Sequence, residues 1–427
     1  MSFFFRVLGY IFISLLFFLY FLNLSDIASS SKLTLIISYF SMNLIIIVSF
    51  LIYKKLFNPI IFVLPFLFGF FYYQFNLSYR QNDLSLETYI VIFVFFIAYF
   101  SGCIFSSKAK CISYDASVSY SVVHLFFTLG VIIFVVETFL SGGFSVVKTL
   151  QGSNAYIDKI NLPILHYFYM LLAILPSCYY YLYKKGNIRK YICIGYILFC
   201  TLMIFDSLSR QLILLLIFSL FFTYIRFNDL SIDKQFFKLT ISISILFIII
   251  GSLRYLGGGT SDVNELEFMK AYAKINKEFD VNIFDVTFNL YTATNFSTLN
   301  DMILLNDNEL HFGKYLLQAY IKIFKYNEAF DIEYNPLLDS YSLLGTIIAD
   351  LYLDFGVFGV AIISFLYGIL ADYSYRSYIN SKSLSSSLLI SVVFYSLFMS
   401  PFTNYFNQLF VLLCFLFSMK FRYVFKF

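Results

Sequence analysis

In the apolar run that begins near residue 343, Ser342, Thr346, Asp350 and Asp354 recur at intervals of four. Side chains four apart stack on one face of a helix, so the two carboxylates share a face. A carboxylate in a segment otherwise surrounded by lipid needs a hydrated cavity or a cationic partner. In such a cavity it can accept the proton of an attacking hydroxyl. The competing reading is a buried ion-pair network that only fixes helix packing.

Cations are available near other apolar runs. Asp206 and Arg210 flank the tight turn Phe205-Asp206-Ser207-Leu208-Ser209-Arg210-Gln211, where they either face a ligand or pair with each other. Arg254 closes a run and precedes Tyr255-Leu256-Gly257-Gly258-Gly259. Triple glycine beside an arginine makes a hinge over a site, or the arginine simply anchors the span end. His311, in Glu309-Leu310-His311-Phe312-Gly313-Lys314, is placed to bind phosphate or carry a proton. His124 and His166 lie in apolar runs and read as packing or hydrogen-bonded core residues.

The elements that must position these groups are membrane spans. Hydrophobic residues make up 60% of the chain and charged residues 13%, with a mean hydropathy of +0.81, which leaves no room for a water-soluble globule. With 57 Phe, 37 Tyr and no Trp, an interfacial aromatic belt must be built from tyrosines such as Tyr72-Tyr73 and Tyr179-Tyr180-Tyr181. Apolar windows fall near 5–23, 33–53, 56–75, 87–105, 119–140, 162–183, 190–206, 209–226, 237–255, 343–371, 384–400 and 404–421. Each suits a hydrocarbon core of about 30 Å. The expected fold is all-α, a polytopic membrane helix bundle of about twelve transmembrane helices with one large helical loop. The first run lacks a small-residue cleavage site and reads as a retained span.

Lysine and arginine set the direction. Arg6, Lys54, Lys55, Lys108, Lys110, Lys184, Lys185, Arg189, Lys190, Arg226, Lys234, Lys238, Arg376, Lys382, Lys420, Arg422 and Lys426 fall on one set of alternate links. The other short links hold Lys32, Arg80, Lys148, Lys159 and Arg210. The bias predicts both termini in the cytoplasm. The organisation is then spans one to nine over 1–255, a large outer loop over 256–340, and spans ten to twelve over 341–427. Acidic residues outnumber basic ones in that loop, which excludes a basic membrane-surface patch. Its segment Tyr291-Thr292-Ala293-Thr294-Asn295-Phe296 mixes aromatic rings with amide and hydroxyl groups, as sugar binding requires, or else packs on the bundle.

Several chemistries are excluded. No GxxxxGK[ST], GxGxxG or HExxH motif is present, so ATP-driven pumping and cytosolic nucleotide-sugar transfer are not expected. Cys103, Cys111, Cys178, Cys193, Cys200 and Cys414 avoid the long loop and lack CxxC spacing. They read as free apolar thiols, with neither a disulfide framework nor a zinc site. No metal, cofactor or nucleic-acid partner is expected.

The segment Tyr334-Asn335-Pro336, followed by Tyr352-Leu353-Asp354-Phe355-Gly356-Val357-Phe358-Gly359 and Gly368, resembles the O-antigen polymerases, the Wzy-type oligosaccharide repeat-unit polymerases. Ser207-Leu208-Ser209-Arg210-Gln211 is similar to that family's arginine-bearing span start. The layout of about twelve spans with one large late outer loop matches as well. The family's arginine-led loop motifs with a glycine eleven residues on are not reproduced, since Arg254 has Glu265 and Arg80 has Val91 at that spacing.

The resemblance implies a C-type glycosyltransferase fold in the bacterial inner membrane, with the large loop periplasmic. It implies transfer of a growing glycan from undecaprenyl diphosphate onto an incoming lipid-linked repeat unit, with no nucleotide and no obligatory metal. Partners would be undecaprenyl-diphosphate-linked oligosaccharide, membrane lipids and, in some systems, a chain-length regulator. Arg210 and Arg254 would hold the diphosphates, Asp354 or failing that Asp350 would be the base, and His311 a secondary phosphate or proton-handling group. Asp206, Tyr255, Asn335 and Tyr352 complete the expected substrate contacts. An O-antigen ligase shares the layout and differs in acceptor. A lipid-linked oligosaccharide flippase shares the spans but has no use for so long a loop and would show two similar halves.

Overall fold

The computed structural model describes residues 32–79, 81, 83–106, 118–151, 160–236, 238–239, 267, 270–271, 273–276, 281–306, 309–323 and 345–420. Among these residues the chain is all helical and holds no strand. Among the described residues four helical segments are long and apolar enough to cross a membrane, namely Leu86–Ser106, Tyr120–Thr149 (two helices joined at Gly142-Gly143), Arg210–Phe227 and Ile347–Asn380. Expected span 5–23 and all of span 237–255 but Lys238 and Leu239 lie outside the described residues, as do Arg254, Tyr255 and Asn335.

The chain divides into two compact units. The first comprises Met1–Lys108, Leu266–Asp372 and Leu397–Tyr405. It contains α1 (Lys32–Tyr53), a 3-10 turn over Pro59–Val63, α2 (Leu64–Tyr73) and α3 (Leu86–Ser106). Expected span 56–75 therefore opens on a tight turn. Pro59 supplies a preset φ, and Asn58 accepts the Ile60 amide at 3.0 Å, so the chain starts again as a capped helix.

Helices α3 and α13 (Ile347–Asn380) cross at mutual glycines. A β-carbon on Gly102 would overlap the Phe365 carbonyl oxygen, and one on Gly368 would overlap that of Tyr99. Small residues that let backbones touch replace the missing hydrophobic drive between helices in lipid. Outward, α13 presents Phe358, Ile362 and Leu366, each more than half exposed and spaced by four. Such an apolar stripe suits acyl chains and not water.

Part of the expected outer loop is built into this unit's core. A π-helical turn, Asn289–Ala293, joins α10 (Ile283–Phe288) to α11 (Thr294–Leu305). Phe296 packs edge-on against Phe66 at 4.9 Å, Asn295 donates to the Pro401 carbonyl at 3.0 Å, and the Tyr73 hydroxyl meets that of Ser297 at 2.9 Å. Asn295 and Phe296 are fully buried, so their half of the Tyr291–Phe296 segment takes the packing alternative. Nearby, Ser78 and Ile275 form an antiparallel bridge.

The second unit comprises Ala109–Glu265, Tyr373–Ser396 and Phe406–Phe427. It contains α4 (Tyr120–Leu140), α5 (Ser145–Leu150), α6 (His166–Met170), α7 (Leu175–Lys184), α8 (Lys190–Asp206) and α9 (Arg210–Phe227). It also holds most of α14 (Leu384–Phe398) and α15 (Leu409–Lys420), which follow the short α12 (Gln318–Ile323) and α13 in the chain. Expected span 162–183 is broken by a 3-10 turn at Leu171–Ala173, where Pro176 begins the next helix. Buried serines of α14 satisfy themselves on the preceding turn, as in Ser391 to Ser387 (2.5 Å) and Ser396 to Val392 (3.0 Å).

His124, expected to pack or hydrogen-bond in the core, is half-buried between two tyrosines. Its Nδ1 sits 3.5 and 3.4 Å from the hydroxyls of Tyr179 and Tyr196, whose rings stack at 4.0 Å. At one end of this unit three links meet that lysine and arginine counting assigns to the same side. Lys184 donates to Asn228 at 2.6 Å, Arg226 to the Ser381 carbonyl at 2.7 Å, and Lys382 pairs with Asp229 at 2.6 Å. Lys382 holds the Asp229 carboxyl below the usual carboxylate range.

Candidate functional site

In the first unit a break in α13 brings together the expected residues Asp354 and His311, with Asp350 and Tyr352 just before it on the same helix. Gly356 adopts φ 63° and ψ −159°, a left-handed conformation that interrupts the helical ladder. The carbonyls of Leu353 and Asp354 turn instead to the loop before α12 and accept the amides of His311 (3.2 Å) and Phe312 (3.0 Å). The Asp354 carboxylate completes the cradle. Its Oδ1 accepts the Tyr315 amide at 3.0 Å and its Oδ2 the Leu316 amide at 2.7 Å, and the side chain is fully buried. Positive φ at Phe312 and Gly313 turns the loop so that these amides converge.

Asp354 is thus tied to the backbone that carries His311, which is half-buried with its ring edge-on to Tyr315 at 5.1 Å. Asp350, one turn earlier, is half-buried. Tyr352 is buried and donates its hydroxyl to the exposed Glu87 carboxylate at 2.5 Å. Thr346, the first described member of the four-residue series, accepts the Ile348 amide at 3.3 Å and caps the helix start. Ser342 lies outside the described residues.

The second unit holds Asp206 and Arg210 at the turn between α8 and α9. Ser207 donates to the Ile204 carbonyl at 2.6 Å and accepts the Ser209 amide at 3.1 Å, while Leu208 takes φ 52°. The turn is thereby rigid. Asp206 is 7% exposed and its Oδ1 accepts the Val146 amide at 3.1 Å from α5. Its Oδ2 is buried without a hydrogen-bond partner among the described residues. Asp206 and Arg210 do not pair with each other, so that alternative is set aside. Arg210, 4% exposed, occupies the first position of the apolar helix α9. A cation there opposes the positive end of the helix dipole, which is unfavourable for stability and favourable for holding an anion.

Two residues that sequence reasoning did not join lie beside this turn. Glu137, fully buried near the C-terminal end of α4, accepts the Leu162 amide at 2.8 Å on Oε1. Its Oε2 stands 2.8 Å from Nδ1 of His166. His166, expected to pack or hydrogen-bond in the core, makes that hydrogen bond to Glu137; its side chain is 15% exposed and Nε2 has no hydrogen-bond partner among the described residues. The His166 ring lies 5.4 Å from that of Tyr169, whose other neighbour is Phe134 at 5.5 Å. The Tyr169 hydroxyl donates to the Met203 carbonyl at 2.7 Å, which brings the histidine and the Asp206 turn onto one side of this unit.

A groove of about 430 Å³ opens on the same helix end, lined by Phe134, Val135, Thr138, Phe139, Gly142, Gly143 and Phe144. Lys148 crosses its glycine rim and donates to the Ser141 carbonyl. Glu137 was the available signal: it is the sole ionisable acid inside the run Tyr120–Leu140, and such a group in an apolar span marks a function by default. Among the described residues no cluster of His, Cys, Asp and Glu could hold a metal ion. Comparison with protein-family models, with curated proteins and with solved structures returns no match to this chain.

Proposed function

We propose that this chain is a membrane-embedded glycosyltransferase that polymerises undecaprenyl-diphosphate-linked O-antigen repeat units on the outer face of a bacterial inner membrane. The observation that carries the reading is Arg210, a guanidinium buried at the amino end of an apolar helix long enough to span a bilayer. A planar fork of N–H donors at a helix start suits the oxygens of a diphosphate. Charge that builds on the leaving diphosphate as the glycosidic bond forms is stabilised by such a fixed cation. Arg254 would take the second diphosphate. Of the other expected residues, Asp206 shares the Arg210 turn in the second unit, while Asp350, Tyr352, Asp354 and His311 belong to the first.

The apolar stripe of α13 supports placement in lipid, and the gathering of basic links at one end of the second unit supports both termini inside, within a bundle of about twelve spans of the C-type glycosyltransferase fold. Deleting the gene and separating the lipopolysaccharide on a gel tests the reading. A single repeat unit on the core is the expected result. A core with no repeat unit would point to a ligase or a flippase, and an unchanged ladder would overturn the proposal.

A further inference from the structure

We infer that His166, held by Glu137, is the general base that takes the proton of the acceptor hydroxyl; the inference rests on the glycosyl-transfer reading and deepens it. Glu137 is fully buried, and its carboxylate meets two donors, the Leu162 amide and the His166 ring. An ionised carboxylate against Nδ1 places the imidazole proton there, which leaves Nε2 with its lone pair. That nitrogen has no hydrogen-bond partner among the described residues, and the side chain keeps an opening to the surroundings. The arrangement is that of a base oriented by an acid.

A purely structural role does not account for the pair. Pinning the Leu162 amide needs one neutral acceptor, which glutamine would supply without a charge in an apolar span. What a carboxylate adds is control of the imidazole tautomer. The surroundings fit the same use. Phe134 and Thr138, on the helix that carries Glu137, line an apolar groove with aromatic faces, and Phe134 stacks on the Tyr169 ring that touches His166. Asp206, which interacts electrostatically with Tyr169 and has one buried oxygen without a hydrogen-bond partner among the described residues, offers an acceptor for a second sugar hydroxyl.

The step balances without a co-reactant. The acceptor hydroxyl oxygen bonds to the donor's anomeric carbon while the bond from that carbon to the diphosphate oxygen breaks. The bonding pair leaves with the diphosphate, and the hydroxyl proton passes to Nε2 of His166 and then to water.

The test uses the purified full chain with lipid-linked repeat units extracted from a strain deleted for its gene. His166→Ala should lower kcat by about 10²- to 10⁴-fold with KM little changed, and added imidazole should restore part of the rate. Glu137→Gln still accepts the Leu162 amide but donates to Nδ1, moving the proton to Nε2. It should melt like the wild type, lose kcat over the same range, and not respond to imidazole. Wild-type kcat in either variant would overturn the assignment. So would a His166→Ala enzyme that melts normally and ignores imidazole. If His166→Ala fails to fold, the Glu137→Gln rate decides alone. Failure of the wild-type chain itself to lengthen these lipid-linked units would instead sink the polymerase reading.

Discussion

The Oδ2 of Asp354 accepts the Leu316 amide at 2.7 Å, tying a residue inside a membrane-length helix to a loop well upstream in the chain. Two backbone donors end on this one carboxylate. Asp354→Ala leaves both without an acceptor in a buried site, at a cost of roughly 2 to 4 kcal/mol. Asp354→Asn keeps one acceptor and turns an amide group toward the other donor. Thermal melting should rank wild type above Asn above Ala. Hydrogen exchange should speed up at Tyr315 and Leu316 in both variants, and unchanged protection there would refute the cradle.

The crossing of α3 and α13 gives a sharper stability prediction. Gly368→Val drives a side chain into the Tyr99 backbone, and Gly102→Val does the same at Phe365. Backbone cannot rotate aside, so each should cost at least the ~1–3 kcal/mol typical of overpacking. Gly195, inside α8, has open space around its α-carbon, and Gly195→Ala should be neutral or raise stability by up to about 1 kcal/mol. Melting the three variants side by side checks the contrast.

Arg210→Ala should abolish long-chain lipopolysaccharide and leave single repeat units on the core. Arg210→Lys keeps a charge but not the planar two-pronged grip, and should leave most chains short. A full ladder in the alanine variant would remove Arg210 from the mechanism.

Asp301, on α11, is half-buried, and that burial raises its carboxyl above the ordinary range. The folded chain therefore holds this proton more tightly than the unfolded chain does. Stability falls as pH rises from the unfolded value of about 3.9 through the higher folded one. Asp301→Asn removes that penalty. Its melting temperature should exceed the wild type's at neutral pH, and the gap should close in acid below the unfolded value. A gap independent of pH would contradict the assignment.

Much of the architecture is legible in one dimension because helix formation in an apolar chain is local. The runs near 33–53, 87–105, 119–140, 190–206 and 209–226 coincide within a few residues with α1, α3, α4, α8 and α9. The prolines at 59, 65 and 176 mark where two other runs break, although their apolar composition reads as continuous. Asp350 and Asp354 were visible as an interval of four. Their different surroundings were not, since those depend on a glycine at φ 63° that exposes two carbonyls to a distant loop.

What the sequence alone determines is therefore the inventory: apolar segments of spanning length, the alternation of basic links, and the few charges that lipid would not tolerate. Tertiary structure decides which of those charges meet. Glu137 faces His166 from 29 residues away, and Asp206 turns to Val146 and not to its neighbour Arg210. The physical reason is range. Hydrophobic period and span length are summed along a short stretch of chain, whereas a hydrogen bond forms only where two separate helices deliver donor and acceptor within about 3 Å in the right direction.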